Sequence, residues 1–328
     1  MRCLLNKLQT EKKRIYVIAG PTASGKSSLG LALAKEYPFE IISMDSMQIY
    51  RRMDVGTAKP TADELASVRH HMIVVCVPDE AFSCADYVKM ADECIEDIYS
   101  RGKLPLFVGG TGLYLDGLIR HNSYEEYERP SGSLEYRAEL QRIAEEQGSD
   151  RLYEMLCELD PESAASIHKN NVKRVMRALE IINETGKTKT EADRESRAVE
   201  GKYDVCTVVL SYPDRDVLYD RINRRVDIMV SDGIVEEARS LYNDGLLTNQ
   251  STASAAIGYK EFIPYFEGNA SLESCIEVLK QSSRRYAKRQ VTWFSRYKDA
   301  VHLDMCANAD KEFKYFVNFC TDVFFNCL

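Results

Sequence analysis

Apolar residues form short runs along the first third of the chain, and each run is followed by a segment with helical spacing. Strands are predicted at 14–20, 40–45, 72–77 and 104–110, with helices at 27–37, 61–69 and 84–101 between them. This alternation is typical of a mostly parallel sheet that is covered by helices on both faces. We therefore expect an α/β fold.

The strand pattern stops near residue 124 and resumes near residue 201. The segment between them is charged and helical in composition, with turn or cap signals at Pro130, Gly148, Asp160 and Thr185. A strand is then predicted at 205–210, and helices at 214–231, 233–244, 271–299 and 310–325. The pattern predicts a discontinuous core domain (1–124 and 201–328) with a helical insertion (125–200), and the last helix is expected to cap the core.

A phosphate-binding motif lies between the first strand and the first helix. It fits the pattern G-x-x-x-x-G-K-[ST], and its members are Gly20, Pro21, Thr22, Ala23, Ser24, Gly25, Lys26 and Ser27. The glycines let backbone N–H groups surround phosphate oxygens, Lys26 adds a full charge, and the Ser27 hydroxyl can complete a Mg²⁺ coordination shell. The expected fold class is therefore a P-loop NTPase-like, mostly parallel sheet with an inserted all-helical domain, and the expected ligand is a diphosphate or triphosphate.

Two further polar residues follow strands of the predicted sheet. Asp45 comes after the second strand, and Thr111 lies in Gly109–Gly112 after the fourth. The carboxyl ends of parallel strands meet at the ligand-binding crevice, so both side chains are expected beside the phosphates. From position alone, Asp45 also fits the acidic Mg²⁺ ligand of an ordinary P-loop NTPase, and the glycine-rich turn also fits a purely structural role.

Composition limits the class of protein. With 328 residues, of which 45% are hydrophobic and 29% charged, the chain is long enough for a large domain that carries a smaller one. No apolar run approaches the roughly 20 residues that span a bilayer, and the N-terminal segment is too polar for a secretory signal. We expect a cytoplasmic protein with no membrane association and with its ten cysteines reduced. No cysteine or histidine spacing indicates zinc.

The net charge of −8 is unfavourable for nucleic-acid binding as an average, but its distribution is uneven. Residues 169–177 contain four basic and no acidic residues, and residues 280–298 contain seven basic and no acidic residues. One such run is usually a solvated helix face. Two of them favour a nucleic-acid partner.

Together, these segments resemble the tRNA dimethylallyltransferase family, also called tRNA isopentenyltransferases, over nearly the whole chain. The matching strings are GPTASGKS, DSMQIYRRMDVGTAKP (45–60), HH (70–71), GKLPLFVGGTGLY (102–114), IHKNNVKRVMRALE (167–180), TGK (185–187), AIGYKE (256–261) and RRYAKRQVTWF (284–294). The zinc finger that many eukaryotic members carry near the C-terminus is missing, so the resemblance favours the bacterial type.

The family's chemistry implies that N6 of the adenosine just 3′ of the anticodon attacks dimethylallyl diphosphate and expels pyrophosphate. Under this resemblance, Asp45 is the general base that accepts the amine proton, and Thr111 interacts with the diphosphate and the target nucleotide. The phosphate loop holds the diphosphate together with Arg225 and with Mg²⁺ at Ser27. The sequence leaves open which of Arg221, Arg224 and Arg225 faces the diphosphate.

The resemblance also implies a surface for the tRNA anticodon stem-loop, on a protein that we expect to be a monomer. The residues implied at the extruded adenine are Asp45, Ser46, Met47, Gln48 and Thr111. The implied basic contacts are Arg137, Lys173, Arg174, Arg177, Arg284, Arg285, Lys288 and Arg289. Tyr286, Trp293 and Tyr297 are candidates for base stacking, although packing is the commoner role of aromatic residues on a helix.

Three other functions share part of this pattern. A nucleoside or nucleotide kinase would use the loop and Asp45, but it does not account for the helical insertion or the basic helix. A prenyltransferase that acts on free adenine nucleotides would not need the tRNA-contacting segments. A non-catalytic RNA-binding P-loop protein would leave Asp45 and Thr111 without a role.

Overall fold

The computed structural model describes residues 12–119, 132–198, 201–247 and 252–326. The chain divides into two compact units. The core unit comprises Met1–Asp116 and Tyr203–Leu328, and the helical unit comprises Gly117–Lys202. The first boundary lies earlier than the position near residue 124 that the sequence pattern predicts.

The core unit is built on a parallel sheet. Its strands among the described residues are β1 (Arg14–Ala19), β2 (Phe39–Met44), β3 (His70–His71), β4 (Leu104–Gly109), β5 (Asp204–Ser211) and β6 (Val301–Asp304). The strand order is β3-β2-β4-β1-β5-β6, and all neighbours are parallel. Gly109 lies opposite both Ala19 and Met44. The segments that follow β1, β2 and β4 therefore leave the sheet at one edge, and the predicted fold class is confirmed.

Two parts of the sheet differ from the prediction. The predicted strand at 72–77 is wrong, because β3 ends before this apolar run begins. Met72 and Val74 have φ of 59° and 57°, in the left-handed region, which interrupts strand geometry. The edge strand β6 has no counterpart in the prediction, since a run of four residues does not stand out in the sequence.

Four helices accompany the first strands. They are α1 (Lys26–Glu36), α2 (Ala62–Ser67), α3 (Cys84–Ser100) and α4 (Gly112–Ile119). Capping boxes start two of them, with Thr61 and Glu64 at α2 and with Ser83 and Asp86 at α3. Helix α1 buries its apolar side chains in the cluster on the sheet. This packing holds the N-terminus of α1 at the edge where β1 ends.

The helical unit has an apolar core of its own. Its helices are α5 (Gly132–Gln147), α6 (Ser149–Leu159), α7 (Pro161–Ser166), α8 (Val172–Thr185) and α9 (Lys189–Ala198). Leu140, Leu152, Leu156, Val175 and Leu179 are fully buried in one cluster. The spacing of four residues on α6 and on α8 puts each pair on one helix face. Within 132–198, no described residue lies in a strand.

The chain then returns to the core unit. It adds α10 (Arg215–Ser231), α11 (Ile234–Asn243), α12 (Ile263–Phe266), α13 (Leu272–Phe294) and α14 (Phe313–Asn326). Helix α14 packs Phe316, Val317 and Phe324 against the sheet, as its amphipathic pattern predicts. None of the described helices is long and apolar enough to cross a membrane. All cysteines within the described ranges are free thiols.

Candidate active site

The phosphate loop connects β1 to α1 at the edge of the sheet. Gly25, the N-cap of α1, has φ of 94° and makes no side-chain capping bond, so the first N–H groups of the helix stay available for a ligand. Ala23 has φ of 61°, a left-handed conformation that is unfavourable for a residue with a Cβ. Strained backbone of this kind is common where a loop is shaped around a ligand.

Side chains from distant parts of the chain hold this loop in shape. The Tyr212 hydroxyl donates to Ser24 O at 3.0 Å, and Arg221 Nε donates to Ala23 O at 2.8 Å. The Thr22 N–H donates to Gln290 Oε1 at 2.8 Å. These bonds occupy carbonyl groups and one amide, and they fix the direction in which the remaining loop amides point.

Lys26 is the buried cation of the loop. Its pKa is lowered to about 8, chiefly by burial and also by the positive charge of Arg225, while the negative charge of Asp45 opposes the shift. Burial also lowers the pKa of Arg225, again opposed by Asp45. Lys26 Nζ donates to Pro21 O at 3.1 Å. Two cations therefore lie close to one carboxylate, in a site that would gain from a bound anion.

The three candidate arginines differ in their surroundings. Arg225 lines the cavity described below. Arg221 binds the loop carbonyl of Ala23, and Arg224 pairs with Asp220 at 2.8 Å. Arg225 is therefore the one of the three whose position suits direct contact with a ligand.

Asp45 and Thr111 lie next to one another after β2 and β4. The Ser46 N–H donates to Thr111 Oγ1 at 3.1 Å, and the Met47 N–H donates to Asp45 Oδ1 at 2.9 Å. The N–H of Thr111 donates to Met44 O at 3.1 Å. The two strand ends approach so closely that a Cβ on Gly109 would lie 2.0 Å from Met44 O. This contact is the physical reason for glycine at that position.

A cavity of about 270 Å³ opens beside these residues. Its lining contains both polar and apolar side chains. The polar lining includes Thr22, Asp45, Ser46, Thr57, Arg225, Lys260, Ser283, Tyr286 and Arg289, and the apolar lining includes Met47, Ile222, Val226, Met229, Ala255, Ala256, Ile257 and Leu279. Such a cavity suits a ligand with both a charged group and a small hydrocarbon group.

Gln48 has a supporting position. Its Oε1 accepts from Ser43 Oγ at 2.8 Å, and its Nε2 donates to Thr57 O and Ala58 O, both at 3.2 Å. Its amide therefore joins the segment after Asp45 to a loop that forms another wall of the cavity.

Gln290 is a buried residue beside the phosphate loop to which no sequence motif assigns a role. It is only 5% exposed, and its Nε2 donates to Gly110 O at 2.9 Å while its Oε1 accepts from Thr22. A Cβ on Gly110 would lie 2.1 Å from that Nε2. One signal was available, because Gln290 is the polar member of the buried stripe on α13, between Ala287 and Phe294.

The aromatic residues of α13 mostly pack inside the protein. Tyr286 lines the cavity, where burial raises its pKa and the Asp45 carboxylate raises it further. Trp293 packs against Gly112 and lies under Arg296, whose guanidinium is 4.2 Å from the ring centre. Tyr297 donates to Asp116. Trp293 on α13 and Tyr297, three residues after the helix ends, therefore both have a packing role.

The basic residues of α13 point in several directions. Arg284 donates to Asn223 Oδ1 at 2.6 Å, and Arg289 lines the cavity. Arg285 and Lys288 are exposed, and neither forms an ion pair within the described part of the chain. Exposed cations without acidic partners are suited to phosphate groups.

The four candidate RNA-contacting residues of the helical unit fall into two groups. Lys173 and Arg174 are exposed on α8. Arg177 lies 3.3 Å from Glu180 Oε2, and Arg137 lies 3.2 Å from Glu180 Oε1. Because the Glu180 side chain is only 4% exposed, its carboxylate is fixed in place and orients the two guanidinium groups that pair with it.

The site contains the donors that Mg²⁺ prefers. The described residues hold no group of three or more His, Cys, Asp or Glu side chains able to bind a metal. Mg²⁺ does not require one, since it commonly takes one or two protein oxygens and completes its shell with water and substrate phosphates. The Ser27 hydroxyl is an oxygen donor of this kind, so the loop fits the ion.

Comparison with known proteins places the chain in a family. The model of the IPP transferase family matches residues 48–297. A tRNA dimethylallyltransferase of a Thermoanaerobacter species is 47% identical over 285 residues, which are 87% of this chain and 89% of the relative.

Two solved structures are also similar. A tRNA isopentenylpyrophosphate transferase from Bacillus halodurans has a TM-score of 0.68 and 42% identity, covering 95% of this chain and 96% of its own. A eukaryotic dimethylallyltransferase acting on tRNA has a TM-score of 0.78 and 31% identity, covering 95% of this chain and 79% of its own. With matches of this length and identity, the chain belongs to the IPP transferase family of enzymes, together with the bacterial tRNA dimethylallyltransferases.

Proposed function

We propose that this enzyme transfers the dimethylallyl group of dimethylallyl diphosphate to N6 of the adenosine 3′ of the anticodon in tRNA. The products are N6-dimethylallyladenosine and pyrophosphate. The observation that carries the proposal is the convergence of the phosphate loop, Asp45 and Thr111 at one sheet edge, beside a cavity lined by both polar and apolar side chains.

The phosphate loop and its neighbours would hold the diphosphate. Lys26 and Arg225 supply positive charge in a poorly solvated position, where their interaction with a polyanionic leaving group is strengthened. Loop N–H groups at the start of α1 add further donors. The Ser27 hydroxyl would hold a Mg²⁺ ion, which when bound would supply additional neutralisation of the phosphate oxygens.

Asp45 would act as the general base. As N6 attacks the allylic carbon, the carbon–oxygen bond to the diphosphate breaks and its electron pair leaves with pyrophosphate. The nitrogen becomes positively charged, and its proton passes to the Asp45 carboxylate. The Met47 N–H bond to Asp45 Oδ1 orients this carboxylate, and Thr111 is placed to contact the diphosphate or the nucleotide.

The tRNA would deliver its adenosine into the cavity by extrusion from the anticodon loop, at a cost of a few kcal/mol at most. Ser46 and Met47 line the cavity, whereas the Gln48 side chain accepts a hydrogen bond from Ser43 Oγ. The phosphate contacts proposed for the anticodon stem-loop are Arg137, Lys173, Arg174, Arg177, Arg284, Arg285, Lys288 and Arg289. Their exposed members carry the charge that counterion release requires.

The alternative is phosphoryl transfer from ATP, which the same loop supports in kinases. An assay with unmodified tRNA and Mg²⁺, supplied with either dimethylallyl diphosphate or ATP and analysed by mass spectrometry, separates the two reactions. We expect prenylated adenosine with the allylic donor and no reaction with ATP. Transfer of the ATP γ-phosphate would refute the proposal.

The role of Asp45 has its own test. Asp45→Asn should lower kcat far more than the affinity for tRNA, because the base acts in the transition state. An equal loss of both would make Asp45 a binding residue.

A further inference from the structure

A single carboxylate on α11 binds a loop that forms one wall of the cavity. Glu237 Oε2 accepts hydrogen bonds from the N–H groups of Asp54 and Val55, both at 2.9 Å, and Oε1 accepts from the Gly56 N–H at 3.1 Å. The Tyr259 hydroxyl donates to the same Oε1 at 2.7 Å. Hydrogen bonds to an ionised acceptor are stronger than neutral ones. Four of them on one carboxylate tie the loop firmly to α11.

The backbone of this loop is strained on both sides of the bound segment. Arg52 and Ala58 have φ of 64° and 45°, left-handed conformations that cost free energy in residues with a Cβ. Such conformations persist only where surrounding contacts enforce them. Arg52 Nη2 also donates to Ser240 Oγ on α11, at 3.0 Å. Helix α11 therefore holds the loop at two places.

Tyr259 connects the same carboxylate to a second wall. Its side chain is fully buried, and a Cβ on Gly56 would lie 2.6 Å from its ring. Burial raises the pKa of Tyr259, and the Glu237 carboxylate raises it further, so the hydroxyl remains a donor. The preceding residue, Gly258, lines the cavity. Glu237 thus fixes the distance between the two walls.

The bound loop also reaches the segment that follows Asp45. Gly56 and Thr57 line the cavity, and Thr57 O accepts from Gln48 Nε2 at 3.2 Å. A displaced loop would therefore move Gln48 and the wall beside Asp45. The phosphate loop is held by a different set of side chains, namely Gln290, Tyr212 and Arg221.

We infer that Glu237 is a positioning residue for the nucleoside half of the site, an inference that rests on the proposed function. Its carboxylate sets the two walls at the separation that admits the adenine beside Asp45. Loss of this tie affects the RNA acceptor and the transfer step, and it leaves the grip on the diphosphate intact.

The experiment compares Glu237→Gln with Glu236→Gln. Both residues lie in the first turn of α11, so each change removes one negative charge from the same end of the helix, and Glu236 is exposed. Three quantities are measured well below the unfolding temperature: amide hydrogen exchange of a peptide covering 53–60, steady-state prenylation of anticodon stem-loop RNA, and the Kd of inorganic pyrophosphate.

We expect Glu237→Gln to speed exchange in this peptide, to raise the KM for RNA by about tenfold and to lower kcat, since an amide is a poorer acceptor and brings its own donors. The Kd of pyrophosphate should match that of Glu236→Gln. Equal exchange and equal kinetic constants in the two variants would overturn the inference. A lower unfolding temperature with unchanged KM and kcat would also overturn it, because a role confined to folding produces that result.

The proposed function can fail separately in this experiment. If the wild type prenylates RNA and Glu237→Gln behaves like the control, only the role of Glu237 is refuted. If the wild type itself fails to prenylate RNA, the proposed function is refuted and the nucleoside-positioning role falls with it.

Discussion

The contact that Gln290 makes between the phosphate loop and the turn after β4 can be removed without changing the net charge. Gln290→Leu keeps an uncharged side chain that is one bond shorter and lacks both amide atoms, so the Thr22 N–H and the Gly110 C=O lose their partner. Gln281→Leu on the same helix is the matched control, since Gln281 is exposed.

The magnitude follows from the burial of the site. Each buried polar group that is left unpaired costs about 1–3 kcal/mol, so the two groups together lower the free energy of unfolding by roughly 2–6 kcal/mol. Without this contact, the remaining loop amides are no longer held in one direction, and one of them can turn away from a phosphate oxygen. Loss of one hydrogen bond to the charged diphosphate is worth about 1.5–3 kcal/mol, or roughly 10- to 100-fold in kcat/KM.

The assay measures kcat/KM for dimethylallyl diphosphate at saturating stem-loop RNA, with thermal unfolding as a companion. We expect Gln290→Leu to lose kcat/KM for the diphosphate while its Kd for RNA is unchanged, and Gln281→Leu to behave as the wild type. A folded Gln290→Leu enzyme with wild-type kcat/KM would refute the reasoning, because the loop would then keep its shape without this side chain.

Three further predictions concern other parts of the protein. Lys26→Met should abolish transfer. It should also raise the free energy of unfolding by up to roughly 3 kcal/mol near pH 7, because the pKa of Lys26 is lowered, chiefly by burial, from 10.5 to about 8, so that the charged amine opposes folding. Measured by urea unfolding, this gain in stability should shrink as the pH rises from about 8 to about 10, where Lys26 loses its proton in the unfolded chain as well. A gain that stays constant with pH would show that the buried charge of Lys26 is not its cause. Gly112→Ala should lower the unfolding temperature, because its Cβ would lie 2.2 Å from the Trp293 ring, and an unchanged temperature would mean that the ring moves freely. The double change Lys173→Ala and Arg174→Ala should weaken RNA binding and reduce the salt slope by about 1–2, whereas an unchanged slope would remove these residues from the interface.

Some features of this protein follow from the sequence because their causes are local. The phosphate loop is recognisable from a strand, a glycine-rich turn and a helix that are contiguous in the chain. The approach of Asp45 and Thr111 follows from a general rule, since parallel strands bring their carboxyl ends to one edge. Both features lie where the sequence pattern predicts them, and the structure adds the bond between Thr111 and Ser46.

Other features depend on contacts between residues that are far apart in the chain. The apolar run at 72–77 has strand composition, but the left-handed backbone at Met72 and Val74 ends the strand before it. Gln290 binds an amide that is 268 positions away, and Glu237 binds the loop wall from more than 180 positions away. A glutamine or glutamate on a helix carries no local sign of such a partner. Only the tertiary structure decides which backbone groups it meets, because hydrogen bonds depend on position and direction in space.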